Sequence, residues 1–276
     1  MAWHAQLQLD YALESGKTVA RHQHNGPLRV LKSLYPEGPA ICHNVLVHPP
    51  GGLVGGDTLD IRIQAAQGTH ALITTPGATR FYRSDGEPAL QRTHIRLDPG
   101  ARLEWLPLES IAYSGCVAEN QLRLDLAAGA ELMAWDITAL GLPHANQPFE
   151  QGRFRQHIEM PGVWLERGQI DAHDLRLLDS PLGLAGHRCM ASLFFATGSS
   201  ITRLRRQQAL DIARAVMATH PLHPTSGTTS PNGQLIVVRV LAPVVELAMD
   251  GLKQIWAGWR SHFWGQSAPS PRIWST

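Results

Sequence analysis

Four glycines, Gly68, Gly100, Gly129 and Gly162, recur at intervals of 32, 29 and 33 residues. Apolar residues keep fixed places around them. Ile63 and Ala65, Ile95 and Leu97, and Leu124 and Leu126 stand five and three residues before the first three glycines. Ala71, Leu103, Leu132 and Leu165 stand three residues after all four. Residues two apart face the same side of a strand, so each unit reads as strand, tight turn, strand. The fourth copy loses the pattern ahead of its glycine. A unit this short cannot bury its own apolar face, and a period near thirty predicts copies stacked on one another. A plain antiparallel meander is the alternative.

The flanking sequence agrees with a β-rich chain. Trp3, Ala5, Leu7 and Leu9 alternate with polar residues, the period of a half-buried strand. Val45–Val47 precedes the turn cluster HPPGGLVGGD at 48–57. The last third changes character. Residues 203–220 form an amphipathic helix with Ala209, Ile212, Ala213, Val216 and Met217 on one face. Pro221 stops it, and 221–234 reads as a turn-rich loop. A strand over 235–242 follows. Pro243 then opens a second helix, at a position where its missing N–H costs nothing. Val245, Leu252, Ile255, Trp256, Trp259 and Phe263 load one face of that helix. The fold class is mainly β, a β-helix-like stack of strands with two α-helices in the C-terminal third. Residues 1–276 read as one domain.

Composition excludes several functions. Lys and Arg number 24 against 23 Asp and Glu, a net charge of +1, unlike the basic excess of a nucleic-acid binder. The most apolar run, 235–249, is interrupted by Arg239, Pro243 and Glu246, too short to cross a membrane. No secretory pattern opens the chain, and Cys42, Cys116 and Cys189 form no CxxC. A cytoplasmic location is expected. The 14 histidines show neither HExxH nor zinc spacing, so no tight metal site is expected. No GxSxG elbow occurs and no catalytic triad is legible. Gly51–Gly56 lacks the Lys-Ser/Thr of a phosphate loop and reads as a tight turn ending in Asp57, a carboxylate on a rigid support. Glu104 beside Trp105, and Asp136 beside Trp135, are either solvated acids or the lining of an internal passage. Arg80, Phe81, Tyr82 and Arg83 suit a protein contact. Trp256 and Trp259 suit either a core or a helix that seeks a partner's groove. With no readable active site, a scaffold is favoured over an enzyme.

Seven segments run nearly end to end along the chain: GPLRVLKSLYPEGP (26–39), CHNVLVHPPGGLVGGDTLDI (42–61), LITTPGATRFYRS (72–84), LEWLPLESI (103–111), AWDITALG (134–141), LDSPLGLAG (178–186) and PRIWST (271–276). Together, and in this order, they resemble the urease accessory protein UreD (UreH) family. The resemblance implies a β-helix-like fold with two helices and a non-enzymatic maturation factor. It implies partners UreF, the GTPase UreG, which binds GTP in this chain's stead, and apo-urease. It also implies an internal tunnel carrying nickel toward the urease active site, with no cofactor held stably.

Ni²⁺ binds imidazole and thiolate tightly and carboxylate and water less so. A conduit must admit the ion and release it, which spaced carboxylates allow. Within the matched segments this points to Asp57 and Asp136, with Ser84 as a neutral oxygen. Glu166 joins them from the weaker match VWLERGQI (163–170). The apolar load of the last helix and tail suggests a partner surface at Trp256, Trp259, Ile273 and Trp274. The rival reading is a metal-dependent hydrolase on a β scaffold, using several of the histidines.

Overall fold

The computed structural model describes residues 2–275. In chain order the strands are β1 (His4–Glu14), β2 (Lys17–Asn25), β3 (Arg29–Val30), β4 (Ile41–Val47), β5 (Thr58–Ala65), β6 (His70–Thr74), β7 (Thr79–Phe81) and β8 (Ala89–Leu97). Next come β9 (Arg102–Leu106), β10 (Ser110–Ala112), β11 (Cys116–Leu126), β12 (Glu131–Leu142), β13 (Gln147–Pro148), β14 (Gly152–Met160) and β15 (Trp164–Asp171). The remainder is α1 (Leu175–Asp179), β16 (Cys189–Thr197), α2 (Arg203–Ala218), β17 (Ser226–Asn232), β18 (Leu235–Ala242) and α3 (Val245–Trp264).

The glycine repeat is the winding rule of the molecule. Thr69, Ala101, Ala130 and Val163 each donate an N–H to the carbonyl three residues back, at 3.2, 3.1, 3.0 and 2.9 Å. The third residue of every such turn is the repeat glycine, with φ between 70 and 76°. That conformation suits a residue without Cβ, and Pro99 and Pro161 fit the second position of such turns. In the first three copies the strand before the glycine (β5, β8, β11) joins a seven-stranded sheet, ordered β15-β14-β11-β8-β5-β1-β2. The strand after it (β6, β9, β12) joins a second sheet, ordered β17-β18-β16-β12-β9-β6-β4-β3 with β7 and β10 attached. Pairing between successive copies is parallel, as in a solenoid, and the stack makes about four turns. The fourth copy departs from this. β14 and β15 form an antiparallel hairpin within one sheet, because β16 already lies beside β12 in the other.

Two cores result. Leu7, Leu9, Ile63, Ile95, Leu124, Ile158, Leu103, Leu132 and Phe194 fill the space between the sheets. Trp135, Phe195, Val238, Ala213, Met217, Leu252, Ile255, Trp256 and Trp259 fill the space between the second sheet and the helices α2 and α3. β12, β16 and β18 are therefore covered on both faces, which explains their near-continuous apolar sequence.

The structure corrects three expectations. The 221–234 segment contains β17, an edge strand paired with β18; its polar SGTTSPN sequence carries no hydrophobic period to reveal it. Pro243 lies outside α3, whose N-cap is the extended Val244 (φ −141°, ψ 156°). The apolar face of α3 belongs to the core. Trp256 and Trp259 are 1% and 0% exposed, so they present no partner surface in this fold. Among the described residues no helix is long and apolar enough to cross a membrane.

Candidate functional site: a polar stripe between the sheets

Inward-facing positions on most strands are apolar, but one stripe across the strands is not. On the seven-stranded sheet Gln91 (β8), Asn120 (β11) and Gln156 (β14) lie side by side in register. All three are buried, and Thr93 is buried beside them. On the facing sheet Thr79, Ser110 and Thr138 form one row. One inward step along β12 begins a second row: Asp136, Ser192 and Arg239. Apolar layers bound the stripe, with Leu122, Ile158, Ala134 and Phe194 on one side and Ala118, Phe154 and Leu140 on the other.

Asp136 is the hub. Asn120 Nδ2 donates to its Oδ2 at 2.9 Å, Thr138 Oγ1 to its Oδ1 at 3.3 Å, and Gln156 Nε2 to the same oxygen. Gln91 Nε2 donates to Asn120 Oδ1 at 3.2 Å, continuing the chain of amides. Burial pushes the Asp136 carboxyl up to about 6; the nearby Glu166 charge adds to this, and the Thr138, Gln156 and Asn120 hydrogen bonds oppose it. Glu166 (β15) pairs across the sheets with Arg239 (β18). The Thr93 hydroxyl is buried with no hydrogen-bond partner among the described residues, a polar group left to face the stripe.

Two cavities follow the stripe. The inner one is lined by Thr79, Gln91, Thr93, Ser110, Asn120 and Asp136 among others, with about 20 Å³ free, room for a single water. The outer one opens between the two glycine-bearing loops, at His48, Gly51, Thr75–Arg80 and Gln91. The cavities share Thr79, Gln91, Trp105 and Pro107. The loops interlock there: Leu53 N–H donates to Arg80 O at 2.7 Å and Tyr82 N–H to Leu53 O at 2.8 Å. Burial lowers the His48 imidazole pKa, against the pull of Asp57.

The family model for the UreD urease accessory protein matches residues 4–275. A urease accessory protein UreD from Polaromonas sp. strain JS666 is 68% identical over 275 residues, covering all of both chains. The same protein from Albidiferax ferrireducens is likewise 68% identical, and that from Variovorax paradoxus 64%, again over the full length of each. The chain belongs to the UreD urease accessory protein family. A role in urease maturation goes with that membership.

The four acid and hydroxyl candidates divide. Asp136 and Glu166 lie on the stripe. Asp57 does not: it is 2% exposed and accepts the N–H groups of Trp3 at 3.1 Å and Val54 at 3.0 Å. It holds its turn together, and replacing it strands two donors. Ser84 sits in the loop, its hydroxyl 3.4 Å from Val117 O. Phe81 is fully buried against Phe154, which removes it from the contact surface. Arg80 and Arg83 are exposed and Tyr82 partly so. The tail folds back: Trp274 packs tilted against Trp135 and edge-on against Trp256, at 5.2 and 5.7 Å between ring centroids, and donates to Thr74 Oγ1 at 2.8 Å. Ile273 beside it is half-buried.

Glu104 was readable as a solvated acid and is instead fully buried. It accepts from Trp256 Nε1 at 2.6 Å, and its Oε1 lies 2.9 Å from His70 Nε2. Arg260, also fully buried, bridges Glu104 at 3.1 Å and Glu37 at 2.6 Å. Burial would raise the Glu37 carboxyl, but His43 and Arg260 outweigh it and hold it near 2. Sequence reasoning missed Gln91, Asn120, Gln156, Ser192 and Arg239. A signal existed for two of them: Gln91 and Asn120 each stand nine residues before a repeat glycine.

Proposed function

We propose that the chain is a non-enzymatic scaffold of urease maturation that passes Ni²⁺ along the polar stripe to apo-urease. It docks a complex of UreF and the GTPase UreG, works in the cytoplasm and holds no ion at rest. The observation that carries the reading is the continuous inter-sheet row of amide, hydroxyl and carboxylate side chains converging on Asp136. Buried polar groups are costly, and apolar layers bound these positions on both sides. Carboxylate and amide oxygens bind Ni²⁺ weakly compared with imidazole or thiolate, which favours release. The narrow inner cavity requires the ion to shed most of its waters, which the flanking amide oxygens can replace. Arg80 at the mouth, Tyr82 and Arg83 just after it in the chain, and the Ile273–Trp274 corner are the faces offered to partners.

The test is urease activation in a defined mixture of apo-urease, Ni²⁺ and the accessory proteins. Asp136→Ala with Glu166→Ala is expected to lower urease nickel content at least tenfold while the accessory complex still assembles. Normal nickel content in urease matured by the double variant refutes the route.

A further inference from the structure

The two polar rows end at a charge pair set between two glycines. Gln91, Asn120 and Gln156 lead in register to Gly168. Asp136, Ser192 and Arg239 lead to Gly227. A Cβ at either glycine would meet nothing within 4 Å. Both rows thus run out into open space at outer strands, β15 of one sheet and β17 of the other. Arg239 and Glu166 close across this end, with side chains 48% and 23% exposed. The charged side chains on the inward faces of β12, β14, β15, β16 and β18 at this end are Asp136, Glu166 and Arg239.

A guanidinium here is at odds with a cation route, because like charges repel. Two carboxylates and one guanidinium also leave one negative charge uncompensated. A divalent cation between Asp136 and Glu166 supplies two charges to two carboxylates and makes Arg239 redundant; a monovalent cation does not. Arg239 is half in water already, so swinging outward costs it little desolvation.

We propose that the Glu166–Arg239 pair is a gate closing the β15–β17 end of the stripe, opened when a divalent cation takes Glu166 from Arg239. The inference rests on the reading of the stripe as a nickel route.

Ser192→Cys places a thiol in the row between Asp136 and Arg239, and the three native cysteines are buried. The measurement is the rate of its modification by the neutral reagent methyl methanethiosulfonate, in the full chain within its accessory complex. Removing Arg239 raises the pKa of a neighbouring thiol and by itself slows labelling, so acceleration reports access. Arg239→Gln is expected to speed labelling at least tenfold, and Gly168→Leu, which fills the open end, to restore the slow rate. Mn²⁺, which prefers oxygen ligands to thiols, is expected to accelerate labelling of the Arg239-containing chain where K⁺ at equal ionic strength does not. Equal rates with and without Arg239, or equal effects of Mn²⁺ and K⁺, overturn the gate. If Ser192→Cys fails to fold, Gln156→Cys on the facing row gives the same readout. The route is tested apart, by Asp136→Ala in urease activation: lost activation with equal labelling rates sinks only the gate, and full activation sinks the route.

Discussion

At the scale of single residues, burial decides what each carboxylate can do. Asp57 has both oxygens committed to backbone N–H groups, whereas Asp136 is held by side-chain amides and a hydroxyl, which the proposed route requires to yield to an ion. The raised pKa of Asp136, from 3.8 to about 6, has a definite consequence for stability. Between those values the folded chain keeps a proton that the unfolded chain has lost. Its contribution therefore falls as pH rises through that window, and the full penalty stands above pH 6. Asp136→Asn should be more stable than the parent at pH 7 by ~1–3 kcal/mol and no more stable at pH 4. Urea unfolding of both at the two pH values checks this; a parallel pH dependence in parent and variant contradicts it. The alternation that exposes Asp136 to the inter-sheet space was legible from its neighbour Trp135, since adjacent strand residues face opposite ways. What lay beyond reach was that both faces of β12 are covered, because the helices covering the second face come some seventy residues later or more.

Among the elements, α3 is the one most changed by the structure. Its tryptophans looked surplus to a chain of this size, yet they seal the second sheet, and Arg260 from the same helix enters a fully buried ion network. A buried guanidinium deprived of a partner is expensive. Glu104→Ala should therefore destabilise by ~3–5 kcal/mol and Glu104→Gln, which keeps an acceptor for Trp256, by less; chemical denaturation ranks the two, and equal losses remove Trp256 from the account. The strands of the repeat were readable because glycine, turn and apolar positions keep one frame through three copies. Gln91 and Asn120 share that frame. Gln156, Ser192 and Arg239 lie outside it: Gln156 pairs in parallel with Asn120 but stands six residues before its glycine, and Ser192 and Arg239 reach the stripe through antiparallel joins whose register no local pattern encodes. β17 stayed hidden for a related reason, since an edge strand of small polar residues lacks any hydrophobic signal.

For the molecule as a whole, the order of layers is outer sheet, polar-striped core, inner sheet, helices, with the tail returning to the helix side. Trp274 fastens that return through Thr74, Trp135, Trp256 and a Lys253 ammonium 5.2 Å from its ring. A chain ending at Ser270 should lose ~1–3 kcal/mol and several degrees in Tm, read by calorimetry on the isolated protein. An unchanged Tm would mean that these contacts add nothing to the stability of the fold.

The seven-stranded sheet is parallel in its middle and closes with the β1–β2 and β14–β15 hairpins at its two ends. Those hairpins act as stops on a ruler. Each coil between them sets neighbouring rungs about 4.8 Å apart, so on the proposed route the length of the path is counted in coils and fixed by the gene's repeat number. Inserting or deleting one copy would leave the remaining rungs chemically intact and, on the proposed reading, still offset the two ends of the route by a full strand spacing.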